Sequence, residues 1–193
     1  MKQIILASSS PRRKALLEQI GLKFKVVPSD YEEDMTLKMP PRKLAEFLSL
    51  NKAKDVAKKF QEKDVVIIAA DTFVVYKNQY LGKPKSKADS FKILSKLSGK
   101  AHSVVTGFTI INPEKNKIVT KSDEARIYFR KLTNCQIRAY IKSENTLDKA
   151  GGYAIQGVGA ALIKKVEGDY NNVMGLPLAE LLDQLNKFGV KAL

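Results

Sequence analysis

Apolar and polar positions along this chain switch repeatedly between a two-residue and a 3.6-residue period, and the switches mark the elements. Ile4-Ile5-Leu6-Ala7 is a short apolar run followed by Ser8-Ser9-Ser10-Pro11, which predicts a buried strand over 3–7 entering a turn and a helix start. The helix is expected from about Pro11 to Ile20, closed by Gly21. Residues 22–28 alternate like an exposed strand, and Asp30-Tyr31-Glu32-Glu33-Asp34 reads as an acidic, irregular stretch. Pro40-Pro41 introduces a helix over roughly 41–60. Val65-Val66-Ile67-Ile68-Ala69-Ala70 is apolar throughout and β-branched at its start, as expected of a strand buried on both faces. Phe73–Tyr80 reads as a short hairpin turning at Lys77-Asn78. Beyond it the pattern predicts a helix over 86–97, strands near 102–111 and 117–130, and a helix over 133–143 capped by Thr133. A glycine-rich segment, Asp148–Gly159, precedes a strand near 160–166 and a last helix over about 177–188, closed by Gly189.

This succession predicts an α/β protein: a mixed, twisted sheet with flanking helices, since hairpins and crossovers both occur. No stretch reads as a linker, so one domain is expected over 1–193. No apolar run reaches the ~18 residues of a membrane helix, and no cationic leader with a cleavage site opens the chain. The single cysteine, Cys135, excludes an internal disulfide and fits a reducing cytoplasm.

Charge changes the picture next. Lys and Arg number 34 against 20 Asp and Glu, a formal net charge of +14. Such an excess attracts polyanions without choosing among nucleic acid, nucleotide phosphates and acidic membrane. The basic residues are spread along the chain with no aromatic-interleaved patch, which argues against stable nucleic-acid binding.

The candidate chemistry gathers at a few positions. Ser10 is a favoured N-cap and Pro11 suits the first helical position; a helix start offers free N–H groups to a phosphate. Arg12 and Arg13 in that first turn oppose the helix dipole unless an anion lies between them, although solvated arginines at an ordinary corner fit the same residues. Asp71 and Thr72 are expected at the carboxyl end of the buried strand, where a carboxylate can hold a cation, take a proton from water, or cap a turn. Glu32, Glu33 and Asp34 are hard oxygen donors of the kind Mg²⁺ or Mn²⁺ takes, or a solvated loop. Lys52 shares the inward stripe of Leu48 and Val56, as does Lys59. Lys83, between Gly82 and Pro84, can act as a point charge on phosphate, and Gln156 can present a donor and an acceptor to a base edge. His102 has no nucleophile partner in the pattern and reads as structural.

In order along the chain, Leu6-Ala7-Ser8-Ser9-Ser10-Pro11-Arg12-Arg13, Glu33, Lys52-Ala53, Ala70-Asp71-Thr72, Gly82-Lys83-Pro84, Leu97-Ser98-Gly99, Asp148-Lys149-Ala150-Gly151, Ile155-Gln156-Gly157 and Val173-Met174-Gly175-Leu176-Pro177 resemble the Maf family. The resemblance implies a fold similar to inosine triphosphate pyrophosphatases, with two lobes around a nucleotide cleft. It implies hydrolysis of nucleoside triphosphates to monophosphate and pyrophosphate, with a divalent cation at Glu33 and Asp71 and with Asp71 as proton acceptor. Ser8, Ser10, Arg13, Lys52 and Lys83 would face the phosphates. Arg12, Thr72 and Gln156 are the set of the branch that prefers dTTP and UTP, whereas the sister branch prefers 7-methyl-GTP. Gly152 and Ala154 depart mildly from the usual alanine and glycine. Similar proteins are often homodimers. The alternatives are the same reaction on 7-methyl-GTP or modified nucleotides and, more distantly, a non-catalytic module that binds nucleic acid or a division protein.

Overall fold

The computed structural model describes residues 2–60 and 64–191. Among the described residues seven strands form one mixed sheet: β1 (Gln3–Leu6), β2 (Phe24–Val26), β3 (Val65–Tyr76), β4 (Gln79–Leu81), β5 (Ala101–Asn112), β6 (Lys117–Phe129) and β7 (Ile163–Glu167). Their order is β2-β1-β3-β5-β6-β7, with β4 also on β3; β1 runs parallel to β2 and β3, and the remaining pairs are antiparallel. Helices α1 (Pro11–Gln19), α2 (Pro41–Ala57), α3 (Lys87–Leu97), α4 (Asn134–Ser143), α5 (Tyr170–Met174) and α6 (Leu178–Lys187) flank it. Among the described residues no helix is long and apolar enough to cross a membrane. The caps follow the sequence: Ser10 accepts from Arg13 N, and Thr133 with Gln136 forms a reciprocal capping box at α4. Cys135 lies exposed in the first turn of α4.

The sheet is split along one edge of β3. β5 covers one edge from Ile67 to Val75. On the other edge β1 pairs with Val65–Ile68 and β4 with Val74–Tyr76. After a last bond from Ala7 N to Ile68 O, the chain leaves the sheet into Ser8-Ser9-Ser10. Residues 69–73 of β3 therefore have no strand partner on that side. The pleat then distributes the side chains. Ile67, Ala69 and Phe73 face α2, packing with Ala53, Val56, Leu44 and Leu48, whereas Val66, Ile68 and Ala70 face α1 and α6 with Leu16, Leu17 and Leu181. Asp71 accordingly points to the α2 side and Thr72 to the α1 side. At the split, both reach the same opening.

Three expectations are corrected. The strand does not stop at Ala70: β3 continues to Tyr76, so Asp71 and Thr72 lie inside it rather than at its carboxyl end. The apolar, β-branched Phe73-Val74-Val75-Tyr76 and the Asp71–Gly107 pairing on β5 carry the strand through. Residues Gly157–Leu162 form a 3₁₀ turn where a strand was expected from 160, because the small residues Gly-Val-Gly-Ala-Ala offer no pleated face; β7 starts at Ile163. Lys59 lies past the end of α2, exposed and paired with Asp30 at 3.0 Å, instead of on the inward stripe. A short helix not expected from the pattern, α5, begins at the Asp169 cap and ends at Gly175 in the left-handed region.

One contact sets how closely α2 lies on the sheet. A Cβ at Gly107 would stand 2.2 Å from both the carbonyl carbon and oxygen of Ala45, inside α2. Backbone cannot yield to that overlap as a flexible side chain does. Gly107→Ala is expected to lower stability by about 3 kcal/mol in urea denaturation, the upper part of the overpacking range; an unchanged midpoint would show that α2 does not rest on this strand.

A buried aromatic group supports the cleft from behind. His102, 3% exposed, packs edge-on against Phe129 and Tyr153, and its Nε2 lies 2.6 Å from the Tyr153 hydroxyl. Its Nδ1 is buried without a partner among the described residues, so a proton there would be an orphaned donor; the tautomer that fits is Nε2–H donating to Tyr153. Burial pushes the imidazole down to about 4 from 6.5. The unfolded chain thus binds the extra proton first, and stability contributed by neutral His102 is complete above pH 6.5 and lost as pH falls toward 4. Denaturation midpoints should drop between pH 7 and pH 5 by an amount worth about 2 kcal/mol that His102→Gln does not show; equal pH dependence in both proteins would contradict it.

Candidate active site

The split in the sheet opens into a cleft of about 270 Å³, on the scale of a small-molecule site. It is lined by Ala7–Arg13, Glu33, Lys52, Asp71, Thr72, Lys83, Asp148, Tyr153 and Gly175, among others. The first strand delivers the turn: β1 ends, and Ser8-Ser9-Ser10 passes in front of the uncovered β3 edge into α1. Ser8 Oγ accepts from Ser10 N at 3.2 Å and from Arg13 Nη1 at 3.0 Å, so its own hydroxyl proton is free to donate. The helix start behind it has no acidic residue in its first turn.

Arg13 is 9% exposed and tied down at each nitrogen. Nε donates to Gly175 O at 2.8 Å, Nη1 to Ser8, and Nη2 to Thr72 Oγ1 at 2.9 Å. Burial lowers its pKa, with Asp71 and Glu33 opposing that, and the guanidinium stays charged. Of its five N–H groups these bonds use three, leaving one on each terminal nitrogen. Thr72 stands directly opposite Thr106 on β5, their hydroxyls 2.9 Å apart. Thr106 gives its only proton to Asn172 O at 2.8 Å, so Thr72 must donate to Thr106 while accepting from Arg13. The chain Arg13, Thr72, Thr106, Asn172 therefore runs in one direction, and the Thr72 hydroxyl is oriented before any ligand arrives.

On the α2 side, Lys52 Nζ lies 2.5 Å from Asp71 Oδ1 and 2.5 Å from Glu33 Oε1. Asp71 is 3% exposed, so its charge needs this partner. Partial burial works to raise the Glu33 carboxyl, but Lys52, then Lys83 and Arg13, outweigh it and hold Glu33 below the ordinary carboxylate range. Asp71 Oδ2 meets no protein donor among the described residues. Lys83 is exposed on the cleft wall, on a turn whose Gly82 O accepts from Gly151 N at 2.9 Å. Glu32 is exposed, and Asp34 is taken up locally by Thr36, so of the acidic run only Glu33 lines the cleft.

The structure thus brings Ser8, Ser10, Arg12, Arg13, Glu33, Lys52, Asp71, Thr72 and Lys83 to one cleft. Gln156 is not among its lining: Ile155 reaches the wall, and Gln156 stands exposed just outside, at the start of the 3₁₀ turn. Arg12 is engaged with Asp148, donating to its carbonyl at 3.1 Å with its carboxylate 3.7 Å away. Thr106 and Asn172 were not singled out from sequence, and Asp148 and Gly175 stood in quoted segments with no role of their own. Only the strand register, which sets Thr106 opposite Thr72, would have found one of them, because Asn172 comes from α5 and Asp148 and Gly175 from turns remote in sequence.

Comparison with known proteins identifies the family and the fold. The family described as Maf-like protein matches residues 3–188. A dTTP/UTP pyrophosphatase of Thermoanaerobacter sp. (strain X514) is 45% identical, the alignment covering 99% of this chain and 100% of that protein. One of Ruminiclostridium cellulolyticum is 46% identical over 99% and 98%. Among solved structures, a HAM1 protein from Coxiella burnetii shares the fold, with a TM-score of 0.55, 16% identity, and coverage of 97% of this chain and 100% of the other. With the family matched across nearly its whole length, and with full-length relatives near half identity, the chain belongs to the Maf-like proteins.

Proposed function

We propose that this protein hydrolyses nucleoside triphosphates at the α–β phosphoanhydride, releasing pyrophosphate and a nucleoside monophosphate, with dTTP and UTP as preferred substrates. The observation that carries the reading is the pair of acids, Asp71 and Glu33, clamped on one lysine beside a hydroxyl-rich helix start. The full-length relatives named dTTP/UTP pyrophosphatase support the substrate.

Each group then has a task. The hydroxyls of the Ser8–Ser10 turn and its Ser8 and Ser9 amides bind phosphate oxygens, helped by the positive end of α1. Lys83 adds a mobile positive charge on the wall, and Arg13 holds the turn and Thr72 in register. The Oδ2 of Asp71, unclaimed by donors among the described residues, takes a proton from the attacking water. The water oxygen bonds to the α-phosphorus, the bond from that phosphorus to the bridging oxygen breaks, and pyrophosphate leaves with the electron pair. The residues fit a divalent cation, Mg²⁺ or Mn²⁺: two carboxylate oxygens converge on one positive centre, and such ions usually take one or two carboxylates plus substrate phosphates. Glu33 and Asp71 would hold it, and it would neutralise charge developing on the bridging oxygen. Arg12, fixed by Asp148, and the oriented Thr72 select the base. Because Gln156 stands outside the wall, a base that it reads would lie at the cleft mouth. The lone thiol and the absence of a membrane-spanning helix among the described residues support a cytoplasmic enzyme.

Chromatography of products from dTTP, UTP, CTP and 7-methyl-GTP with Mg²⁺ or Mn²⁺ tests this. Monophosphate and pyrophosphate are expected, fastest from dTTP and UTP; diphosphate plus phosphate would contradict the reading. Asp71→Asn should keep the fold by circular dichroism and lower kcat about 10³-fold, and near-normal turnover would remove Asp71 from the mechanism.

A further inference from the structure

Lys52 occupies the point on which the two acids converge. Glu33 Oε1 and Asp71 Oδ1 each lie 2.5 Å from its ammonium nitrogen. The Lys52 and Asp71 side chains are 12% and 5% exposed and that of Glu33 38%, so water reaches the pair from the Glu33 side and little shields Asp71. Without a cation between them they would repel. The protein thus carries its own cation, tethered to α2.

That tether has a consequence for any free metal ion. A hard divalent cation seeks about six oxygen ligands. Among the described residues no group of three or more His, Cys, Asp and Glu is placed to hold one. An ion entering the nucleotide-free cleft would gain only two carboxylate oxygens and would have to expel an ammonium already bonded to both. A triphosphate changes each side of that balance. Its oxygens complete the ion's coordination, and its charge gives the displaced ammonium a new partner. The lysine stem, with four rotatable bonds, can make that move while the backbone of α2 stays seated on Gly107.

We infer that Lys52 is a positioning residue that holds the cation's place in the nucleotide-free protein, so that a divalent cation binds at Glu33 and Asp71 only together with a nucleoside triphosphate. This rests on the proposed function for the nature of the nucleotide. The geometry of the acid pair is kept ready by the lysine, and the metal arrives as part of the substrate.

The test follows free Mn²⁺ by electron paramagnetic resonance during titration of the full-length protein without nucleotide; binding at the pair is the part that Asp71→Asn removes. Wild type should bind there with a dissociation constant of about 1 mM or weaker, and adding α,β-methylene-UTP should retain Mn²⁺ beyond what the analogue holds alone. Lys52→Gln and Lys52→Met should bind Mn²⁺ without nucleotide about tenfold more tightly or better, and Asp71→Asn in the Lys52→Gln protein should cancel the gain. A purely structural lysine would give the opposite, weaker binding when removed. Tight Mn²⁺ binding at the pair in nucleotide-free wild type, or no gain in a folded Lys52 variant, overturns the inference. If neither variant folds, the wild-type titrations with and without the analogue decide alone. A wild type that binds Mn²⁺ tightly by itself yet releases pyrophosphate from UTP overturns the place-holding role and leaves the pyrophosphatase reading intact. Weak binding alone and tight binding in the variants, with no pyrophosphate from any triphosphate, does the reverse.

Discussion

A carboxylate set into the middle of a buried strand must be neutralised, and most of this structure is arranged so that Asp71 can be. Its side chain is almost wholly removed from solvent, and Lys52 is its protein partner. An unpaired charge at such a site would cost several kcal/mol. The lysine reaches it because α2 lies directly on the sheet, backbone against backbone at Gly107, the residue paired with Asp71 across β3 and β5. The same ammonium then draws in Glu33 from an otherwise solvated loop. Fold and site meet in one ion triad.

The second constraint is the gap in the sheet. If β1 had continued beside β3, Asp71 and Thr72 would point to opposite faces of a covered layer and could not share a ligand. Because β1 leaves at Ala7 and β4 joins only at Val74, the two faces communicate through the uncovered edge. One side presents carboxylates and a lysine. The other presents an arginine and an oriented hydroxyl chain ending at Asn172. In the proposed function a phosphate-bearing ligand in the gap is gripped by the turn that replaces the missing strand.

The sequence made the element order legible, since periodicity and caps are local: Ser10, Thr133 and the Lys77-Asn78 turn act where they were expected. It misplaced Asp71 at a strand end because a carboxylate ordinarily breaks an apolar run, and the lysine that makes it tolerable lies 19 residues earlier on another element. Lys52 and Lys59 shared one apparent stripe, and only the end of α2 at Ala57 separates them. The network through Thr106, Asn172 and Gly175 was illegible because each link depends on strand register or on α5 and its glycine cap, remote in sequence. Gln156 shows the converse, a polar side chain in a promising glycine-rich segment that turns outward where the 3₁₀ turn begins.

In the proposed mechanism Asp71 directs water to the α-phosphorus within this gap. Hydrolysis of UTP in ¹⁸O-enriched water, with mass analysis of both products, addresses it most directly. The label should appear in UMP and be absent from pyrophosphate; label in pyrophosphate would mean attack at the β-phosphorus and would rule that mechanism out.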